Sequence, residues 1–326
     1  MNQQLITKNN PPPNPLPREG DRERSNQQLI TNLWKFSRPH TIIGTSLSVL
    51  ALYFIAIAIA KDAWSLTSLL DLAIAWLACL CGNVYIVGLN QLEDIAIDRI
   101  NKPHLPLASG EFSLTQGQWI VSITGILALI LALFGGDWLL ATIGISLAIG
   151  TAYSFPPIRL KRFPLLAALC IFTVRGIIVN LGLFLHFNET LGSAEAIPAS
   201  IWVLTLFVLV FTIAIAIFKD VPDMEGDREY EIVTFTLMVG KTAIFQISRA
   251  IVSCCYLGMI GAAIAGLAGV NHWLLGLGHC LLLGLLWWRS QQVNLEEKSA
   301  IASFYQFIWK LFFFEYFLFP IACWLG

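Results

Sequence analysis

The chain has 326 residues, of which 56% are hydrophobic and 13% are charged, and its formal net charge is −1. An ordinary soluble domain is about 25% charged, so this composition excludes a simple soluble fold, and the lack of a basic excess excludes a nucleic-acid partner. The composition indicates an all-α, polytopic integral membrane protein in contact with the lipid bilayer, because each spanning helix needs roughly 20 apolar residues and that pattern recurs along the chain.

The first segment in chain order is polar and rich in proline. It contains acidic residues and lacks the apolar core of a signal peptide. We predict a disordered cytoplasmic tail over residues 1–35. A single membrane domain is predicted over residues 36–326, with no soluble module beside it.

Nine apolar runs follow the tail and predict nine transmembrane helices. The predicted spans are 41–60, 66–90, 117–135, 138–156, 164–187, 199–219, 240–268, 272–289 and 301–325. The second span becomes polar toward its end, where Asn83, Asn90 and Gln91 occur. Because lipid cannot satisfy amide groups, we expect this polar face to turn toward the interior of the helix bundle.

The basic residues are distributed unevenly between the two ends of these spans. Six precede the first span and ten lie in the loops after the second, fourth, sixth and eighth spans, whereas the opposite loops carry only Lys61. Because Lys and Arg concentrate in cytoplasmic loops, the N-terminus is predicted in the cytoplasm and, with nine spans, the C-terminus on the other side.

The first acidic cluster lies at the end of the second span. Asn90, Asp94 and Asp98 follow one another at intervals of four residues. Because each such interval passes a full helical turn by only about 40°, the three side chains are predicted on one helix face. Two carboxylates so close repel each other unless a cation lies between them.

The second acidic cluster lies at the end of the sixth span. Asp220, Asp223 and Asp227 are three and then four residues apart, and Pro222 lies among them, which is expected to bend the helix. Oxygen ligands without sulfur or imidazole are typical of magnesium or calcium, and magnesium keeps waters and substrate phosphates besides one or two carboxylates. Two clusters on one membrane side can hold two magnesium ions against one diphosphate; the alternative is two solvated loops with incidental acids.

Cations on the same predicted side can stabilise the charge of a diphosphate leaving group, although some of them serve only to set the topology. Tyr153 and Ser154 precede a basic run and can donate hydrogen bonds to phosphate. The cations are Lys102, Arg159, Lys161, Arg162, Lys219 and Arg228.

Three further residues are candidates for the site that holds an acceptor. Arg175 lies in the middle of the fifth span, and an intramembrane charge is a functional candidate by default. It either anchors a carboxylate of the acceptor or pairs with an acidic residue. Arg38 and His40 lie at the mouth of the first span, where capping or packing is an equal alternative for His40.

The two clusters resemble the paired Asp-rich motifs of the UbiA-type membrane prenyltransferases, and the similarity runs from about residue 35 to the end. Within that family the chain resembles the homogentisate phytyltransferase branch. The resembling stretches, at residues 36–45, 87–94, 101–110 and 218–227, read FSRPHTIIGT, VGLNQLED, NKPHLPLASG and FKDVPDMEGD.

The resemblance implies a ring of nine helices around a central cavity with a cytoplasmic cap. It implies phytyl diphosphate as donor and homogentisate as acceptor, giving 2-methyl-6-phytylbenzoquinol, carbon dioxide and pyrophosphate on the route to tocopherol. Because the tail does not resemble a plastid transit peptide, we expect a photosynthetic bacterium and either its thylakoid or its plasma membrane. The oligomeric state is left open.

On this hypothesis, two Mg²⁺ ions bind the diphosphate and assist its departure. The expected metal ligands are Asn90, Asp94, Asp98, Asp223 and Asp227, and which acid of the second cluster contacts the metal directly is left open. The expected catalytic residues are Asp94, Asp98, Asp223, Asp227 and Lys102. The expected substrate-binding residues are Asn90, Arg38, His40, Tyr153, Ser154, Arg159, Lys161, Arg175, Lys219 and Asp220.

Other function classes fit the chain less well. A transporter is typically built from internal repeats with broken helices at the bilayer midplane, whereas the acids here lie at span ends, and a structural scaffold has no use for paired acidic clusters. Among enzymes, the alternatives are a homogentisate solanesyl- or geranylgeranyltransferase and a chlorophyll synthase.

Overall fold

The computed structural model describes residues 19–61, 65–193, 196–219, 221 and 235–326. The described chain is helical and contains no strand. Its α-helices are α1 (Glu19–Phe36), α2 (Pro39–Ala60), α3 (Leu66–Glu93), α4 (Ile95–Asn101), α5 (Pro106–Ser109), α6 (Leu114–Gly135), α7 (Asp137–Ser154), α8 (Pro164–Phe172), α9 (Val179–Thr190), α10 (Ala199–Phe218), α11 (Phe235–Val239), α12 (Lys241–Ile264), α13 (His272–Ser290) and α14 (Lys298–Trp324). A 3₁₀ turn covers Leu160–Arg162, and a π-helix over Thr173–Ile178 joins α8 to α9.

Seven helical segments of the described chain are long and apolar enough to cross a bilayer. They are α2, α3, α6, the rod formed by α8 and α9, α10, α12 and α14. The helices α7 and α13, with 18 and 19 residues, lie where two further spans are predicted but are not among these seven. The all-α membrane fold is therefore confirmed, and the count of nine spans stays a prediction.

The long helices form a closed ring. In the described chain α2 packs on α3, α3 on α6, α6 on α7 and α7 on α9, while the π-helix packs on α10. The ring continues from α10 to α12, α13 and α14, and α14 returns to pack on α2. The ring of helices that the resemblance implies is thus present, and its centre is available for a cavity.

The outward surface of the ring is apolar. Phe134, Ile264 and Trp273 are 78%, 83% and 80% exposed, and many other large apolar side chains share this surface. Exposed apolar area on this scale is unfavourable in water and is expected where lipid covers it. The excess of hydrophobic residues in the composition is therefore placed outside the ring as well as in its core.

One end of the ring carries short elements that form a cap. The helices α4 and α5 follow α3, and the 3₁₀ turn follows α7. The helix α1 packs on α3 and α5. These elements place the basic and acidic loop residues over one end of the ring.

The helix α1 begins at Glu19, within the segment 1–35 for which a disordered tail is predicted. Its last residue, Phe36, is fully buried and clusters with Leu89, Leu107, Phe112 and Val121. The Gln91 side chain also donates a 2.7 Å hydrogen bond to the Phe36 carbonyl. These contacts stabilise a helix that composition alone does not reveal. Residues 1–18 lie outside the described chain.

Candidate active site at the capped end of the ring

A cavity of about 1290 Å³ opens at the capped end of the ring and extends between the helices. Its outer part is lined by charged and amide side chains, whereas its deeper part is lined by residues such as Val49, Cys79, Ile143 and Leu147. Cys79 and Asn90 both line it from α3, and 11 helical residues span about 16 Å. The cavity therefore has a polar mouth and a long apolar interior.

The described part of the predicted site converges on this cavity with one exception. Ser154 does not line it and is fully buried, so the prediction that its hydroxyl meets phosphate is not supported by its position. Asp220, Asp223 and Asp227 lie outside the described residues. The predicted residues that line the cavity are Arg38, His40, Asn90, Asp94, Asp98, Lys102, Tyr153, Arg159, Lys161, Arg162, Arg175 and Lys219.

The first acidic cluster is not one continuous helix, as its spacing predicted. The helix α3 ends at Glu93, and Asp94 has φ −119° and ψ 18°, after which α4 begins at Ile95. The Asp98 amide donates to the Asp94 carbonyl over 2.8 Å, so α4 starts at the break. All three oxygen-bearing side chains still line the same cavity despite the break.

Asp94 is held by two side chains from the loop after α7 and one from α3. Arg159 lies 3.0 Å from Oδ1, and Lys161 Nζ lies 2.6 Å from Oδ2. The Asn90 amide donates to Oδ2 over 3.0 Å. Burial lowers the pKa of Lys161, and the Asp94 carboxylate opposes part of that shift. Two cations of the cavity mouth therefore converge on the Asp94 carboxylate.

Arg159 reaches Asp94 from an unusual backbone conformation. Its φ is 39° and its ψ 59°, in the left-handed region that non-glycine residues rarely adopt. Its amide donates to the Phe155 carbonyl, and its carbonyl accepts from the Arg162 amide. The cost of such a conformation is of order 1–3 kcal/mol and is typical of functional positions.

Arg38 extends the charged network to the other two members of the cluster. It also has a positive φ, 53°, at the start of α2. Its guanidinium donates to Asn90 Oδ1 over 3.1 Å and lies 4.0 Å from Asp98 Oδ2. Asp98 is only 5% exposed. The first acidic cluster is thus surrounded by cations from α2 and from the loop after α7.

Tyr153 and Lys219 form a pair on the cavity wall, at the residue that precedes the second cluster in the sequence. Lys219 Nζ donates to the Tyr153 hydroxyl over 3.2 Å, and both side chains line the cavity. Lys219 immediately precedes Asp220 in the sequence. The residue that precedes the second cluster thus lies on the wall of the same cavity.

The acceptor candidates His40 and Arg175 lie on a shared aromatic side chain. The His40 ring centre is 5.0 Å from that of Trp309, and the Arg175 guanidinium carbon is 4.6 Å from the same ring. All three residues line the cavity. Trp309 was not singled out from the sequence, because a tryptophan in an apolar span carries no distinguishing signal.

Sequence reasoning also missed a buried ion pair. His279 Nε2 lies 2.8 Å from Glu315 Oε2, and both side chains are fully buried. Glu315 is an acidic residue inside the last predicted span, and that rarity was the signal available in the sequence. Neither residue lines the cavity, so this pair belongs to the packing between α13 and α14.

The oxygen donors of the first cluster fit a hard divalent cation. Asn90, Asp94 and Asp98 offer amide and carboxylate oxygens to one cavity, without sulfur or imidazole ligands among them. Within the described residues, no three acidic, histidine or cysteine side chains gather around a common metal position. The described chain therefore supplies part of a site that is suited to magnesium, an ion that accepts few protein ligands beside water and phosphate.

The chain is similar to known proteins along most of its length. A model of the UbiA prenyltransferase family matches residues 49–311. The homogentisate phytyltransferase of Synechocystis sp. is 59% identical over 297 residues, which cover 91% of this chain and 96% of that protein. The chloroplastic homogentisate phytyltransferase 1 of Arabidopsis thaliana is 40% identical over 311 residues, 92% of this chain and 77% of that protein.

A solved structure shares the fold. The structure of a UbiA homolog from Archaeoglobus fulgidus bound to GPP and Mg²⁺ matches with a TM-score of 0.61 and 16% identity. The match covers 90% of this chain and 100% of that chain. At this identity the likeness concerns the arrangement of the helices.

Proposed function

The chain belongs to the UbiA prenyltransferase family, and we propose that it transfers a phytyl group from phytyl diphosphate to homogentisate. The 59% identity to the Synechocystis homogentisate phytyltransferase supports these substrates. The structural observation that carries the proposal is the cavity with a polar mouth and an apolar interior. The polar mouth matches the anionic head of an amphiphile such as a prenyl diphosphate, and the apolar interior matches its long hydrocarbon tail.

The diphosphate of the donor occupies the mouth on this proposal. Arg159 and Lys161, which hold Asp94, and Arg38, which holds Asn90, are placed to bind phosphate oxygens. Lys219, with Tyr153 beside it, approaches from the other wall. The phytyl chain extends into the apolar interior past Cys79 and Leu147.

The proposed metal ligands are the two acidic clusters. Asn90, Asp94 and Asp98 line the mouth, and Asp223 and Asp227 complete the set from the second cluster. Two magnesium ions bound there supply Lewis-acid stabilisation of the diphosphate as negative charge develops on it. Lys102 lines the mouth beside Asp98 and adds to this stabilisation.

The reaction breaks the bond between the allylic carbon and the diphosphate oxygen, whose electrons leave with pyrophosphate. A ring carbon of homogentisate forms the new carbon–carbon bond and loses its hydrogen as a proton. The acetate side chain loses carbon dioxide, and its methylene carbon takes up a proton to become a methyl group. One proton is released and one is taken up, so the reaction needs no further reactant.

The apolar interior protects the reacting carbon. Water would trap a cation-like allylic carbon as an alcohol, and excluding water also strengthens the electrostatic interactions at the mouth. Ile86, Ile97 and Ile171 lie among the cavity residues beside the charged mouth.

We place the capped end on the cytoplasmic side of the membrane, because the basic residues of the mouth and of the flanking loops lie there. The similarity to a Synechocystis protein supports a photosynthetic bacterial membrane, with thylakoid and plasma membrane to be separated by fractionation. The diphosphate then enters from the compartment in which phosphorylated metabolites occur.

The test uses purified protein in detergent with magnesium and two preparations of radiolabelled homogentisate. Ring label should enter a lipid product, and carboxyl label should be released as carbon dioxide in equal amount. Phytyl, geranylgeranyl and solanesyl diphosphates are supplied in parallel. Asp94→Asn is the inactive control, and Glu296→Gln, an exposed acid outside the cavity, is its matched active control.

Formation of the lipid product chiefly from phytyl diphosphate supports the proposal. A preference for solanesyl or geranylgeranyl diphosphate keeps the chemistry and changes the donor. No product from homogentisate with any donor contradicts the proposal, and chlorophyllide is then the next acceptor to test.

A further inference from the structure

Arg175 lies in a distorted helical segment in the middle of the membrane-spanning segment formed by α8 and α9. The segment Thr173–Ile178 is a π-helix between α8 and α9. Such segments are rare and occur frequently at functional sites, because the extra residue in the turn redirects side chains. Arg175 lines the central cavity from this segment.

The backbone around Arg175 is fixed by its neighbours. A Cβ atom at Gly176 would lie 2.8 Å from the Leu209 Cα atom, so only glycine allows this approach to α10. The fully buried Asn180 side chain donates to the carbonyls of Arg175 and Gly176 over 3.0 and 2.8 Å. These bonds satisfy carbonyls at the distortion and hold Arg175 in one place.

In the part of the chain that the structure describes, aromatic rings hold the guanidinium of Arg175. It lies 4.6 Å from the centre of the Trp309 ring and 5.7 Å from that of Phe312. None of the acidic side chains in the described ranges lies within ion-pair distance of it. Cation–π contacts leave the N–H groups in the guanidinium plane available, and an intramembrane arginine is costly unless an anion or water meets those groups.

A row of contacts connects Arg175 to the mouth of the cavity. Arg38 bonds to Asn90, His40 follows Arg38 by two residues, and both His40 and Arg175 contact the Trp309 ring. Arg175 therefore lies past the mouth along one cavity wall. A small molecule bound between Arg175 and the mouth would have its other end close to the diphosphate site.

We propose that Arg175 binds the carboxylate of the aromatic acceptor and thereby selects arylacetates over uncharged hydroquinones. The inference rests on the proposed function and assigns the acceptor end of the same site. A guanidinium matches a carboxylate with two parallel hydrogen bonds. The Trp309 ring lies against the guanidinium, and both residues line the cavity.

This assignment fixes the orientation of the acceptor. With its carboxylate on Arg175, the homogentisate ring extends toward His40 and the mouth, where the allylic carbon of the donor lies. The position of Arg175 thus decides which ring carbon meets the donor. Loss of this contact is expected to affect acceptor binding and to leave donor binding unchanged.

The first test uses the unmodified protein. Equilibrium dialysis compares radiolabelled homogentisate with its primary amide, which has nearly the same shape and no charge. We expect the acid to bind about 10- to 100-fold more tightly, as charge-assisted hydrogen bonds contribute in a partly apolar site. Equal affinities for acid and amide would overturn the assignment without any variant having to fold.

The second test compares Arg175→Gln with Arg249→Gln. Arg249 also lies on a tryptophan, 4.4 Å from the centre of the Trp287 ring, but does not line the cavity. In Arg175→Gln the preference for the acid over the amide should fall to about 1, with donor KM unchanged. Arg249→Gln should keep the preference of the unmodified protein, and Arg175→Lys should restore part of it.

Three results separate this inference from the proposed function. If the unmodified protein does not prenylate homogentisate, the proposed function fails. If it does, and Arg175→Gln keeps the preference for the acid, only the role of Arg175 fails. A rise in donor KM in Arg175→Gln, with acceptor affinity unchanged, would also overturn the role and assign Arg175 to the diphosphate.

Discussion

Asp94 and Glu315 are both carboxylates held by a basic side chain within the helical ring. Lys161 Nζ lies 2.6 Å from Asp94, and His279 Nε2 lies 2.8 Å from Glu315. They differ in access, because Asp94 lines the cavity, whereas the Glu315 and His279 side chains are fully buried outside it. A carboxylate that faces a cavity can exchange its cation for a substrate-bound metal, and a sealed one cannot.

The sealed pair has a defined hydrogen-bond arrangement. His279 Nδ1 lies 2.7 Å from the Leu275 carbonyl, which can only accept, so Nδ1 carries a proton. One further proton then lies between Nε2 and the Glu315 carboxyl, and the pair is neutral overall wherever that proton resides. A neutral pair that joins α13 to α14 suits a structural role in a membrane interior.

The difference teaches that pairing does not identify a catalytic acid in this ring. Asp94 is bound by Arg159 and Lys161 from the loop after α7 and by Asn90 from α3, and all of them line the cavity. Among the residues that the structure describes, Glu315 bonds to one side chain, which lies on a neighbouring helix. Asp94 is therefore expected to govern turnover, and Glu315 the stability of the ring.

The largest effect is expected from Asp94→Asn. The substitution keeps the size of the side chain and removes the charge that a metal needs, so turnover should fall by about 1,000-fold. The unfolding temperature in detergent should change little, because Asp94 faces a cavity. Turnover within tenfold of the unmodified protein would remove Asp94 from the catalytic group.

The next effect is expected from Glu315→Ala, which leaves His279 buried without its partner. Breaking a buried pair costs about 3–5 kcal/mol of unfolding free energy, to be measured by denaturant unfolding in detergent. Glu315→Gln is the matched control, because its amide can donate to His279 Nε2 and the loss should be much smaller. Turnover per folded molecule should stay unchanged in Glu315→Gln, and a large loss there would give this pair a catalytic role.

Much of the fold was predictable because hydropathy is a property of local sequence. The predicted spans 66–90 and 199–219 correspond to helices at Leu66–Glu93 and Ala199–Phe218. The helix α1 was not predictable in this way, because its anchor Phe36 packs against residues distant in sequence, such as Phe112. The π-helix at Arg175 was also invisible, since it depends on the approach of Leu209 to Gly176.

The sequence predicted which residues form the candidate site better than it predicted their geometry. Spacing and charge brought Asn90, Asp94 and Asp98 together, but the helix break at Asp94 has no signal in a four-residue repeat. Ser154 was predicted together with Tyr153 because both hydroxyls precede the basic run, yet adjacent helical residues point in different directions, and of the two only Tyr153 lines the cavity. Glu315 was not predicted as a functional or structural site because it is a single acid that belongs to no acidic cluster in the sequence.

A smaller effect on activity is expected from Lys161→Gln, which removes one partner of the carboxylate that lines the cavity. Asp94 keeps Arg159 at 3.0 Å, so the fold and the metal site should persist. The lost ammonium should raise donor KM about tenfold, the cost of one charge-assisted hydrogen bond, with a smaller change in kcat. The measurement is a donor titration at saturating magnesium, and an unchanged donor KM would show that Lys161 serves only to hold Asp94.

The smallest effect is expected where a carboxylate has neither a cavity nor burial. Glu296 pairs with Lys241 at 2.9 Å, and the Glu296 side chain is 82% exposed. Water and salt screen such a pair, so Glu296→Gln should change the free energy of unfolding by less than about 1 kcal/mol. Turnover should be unaffected, because neither residue lines the cavity. If Glu296→Gln lowered the free energy of unfolding as much as Glu315→Ala, the loss of a charge pair alone would explain both effects. Burial and access to the cavity would then no longer explain why Asp94 and Glu315 differ in role.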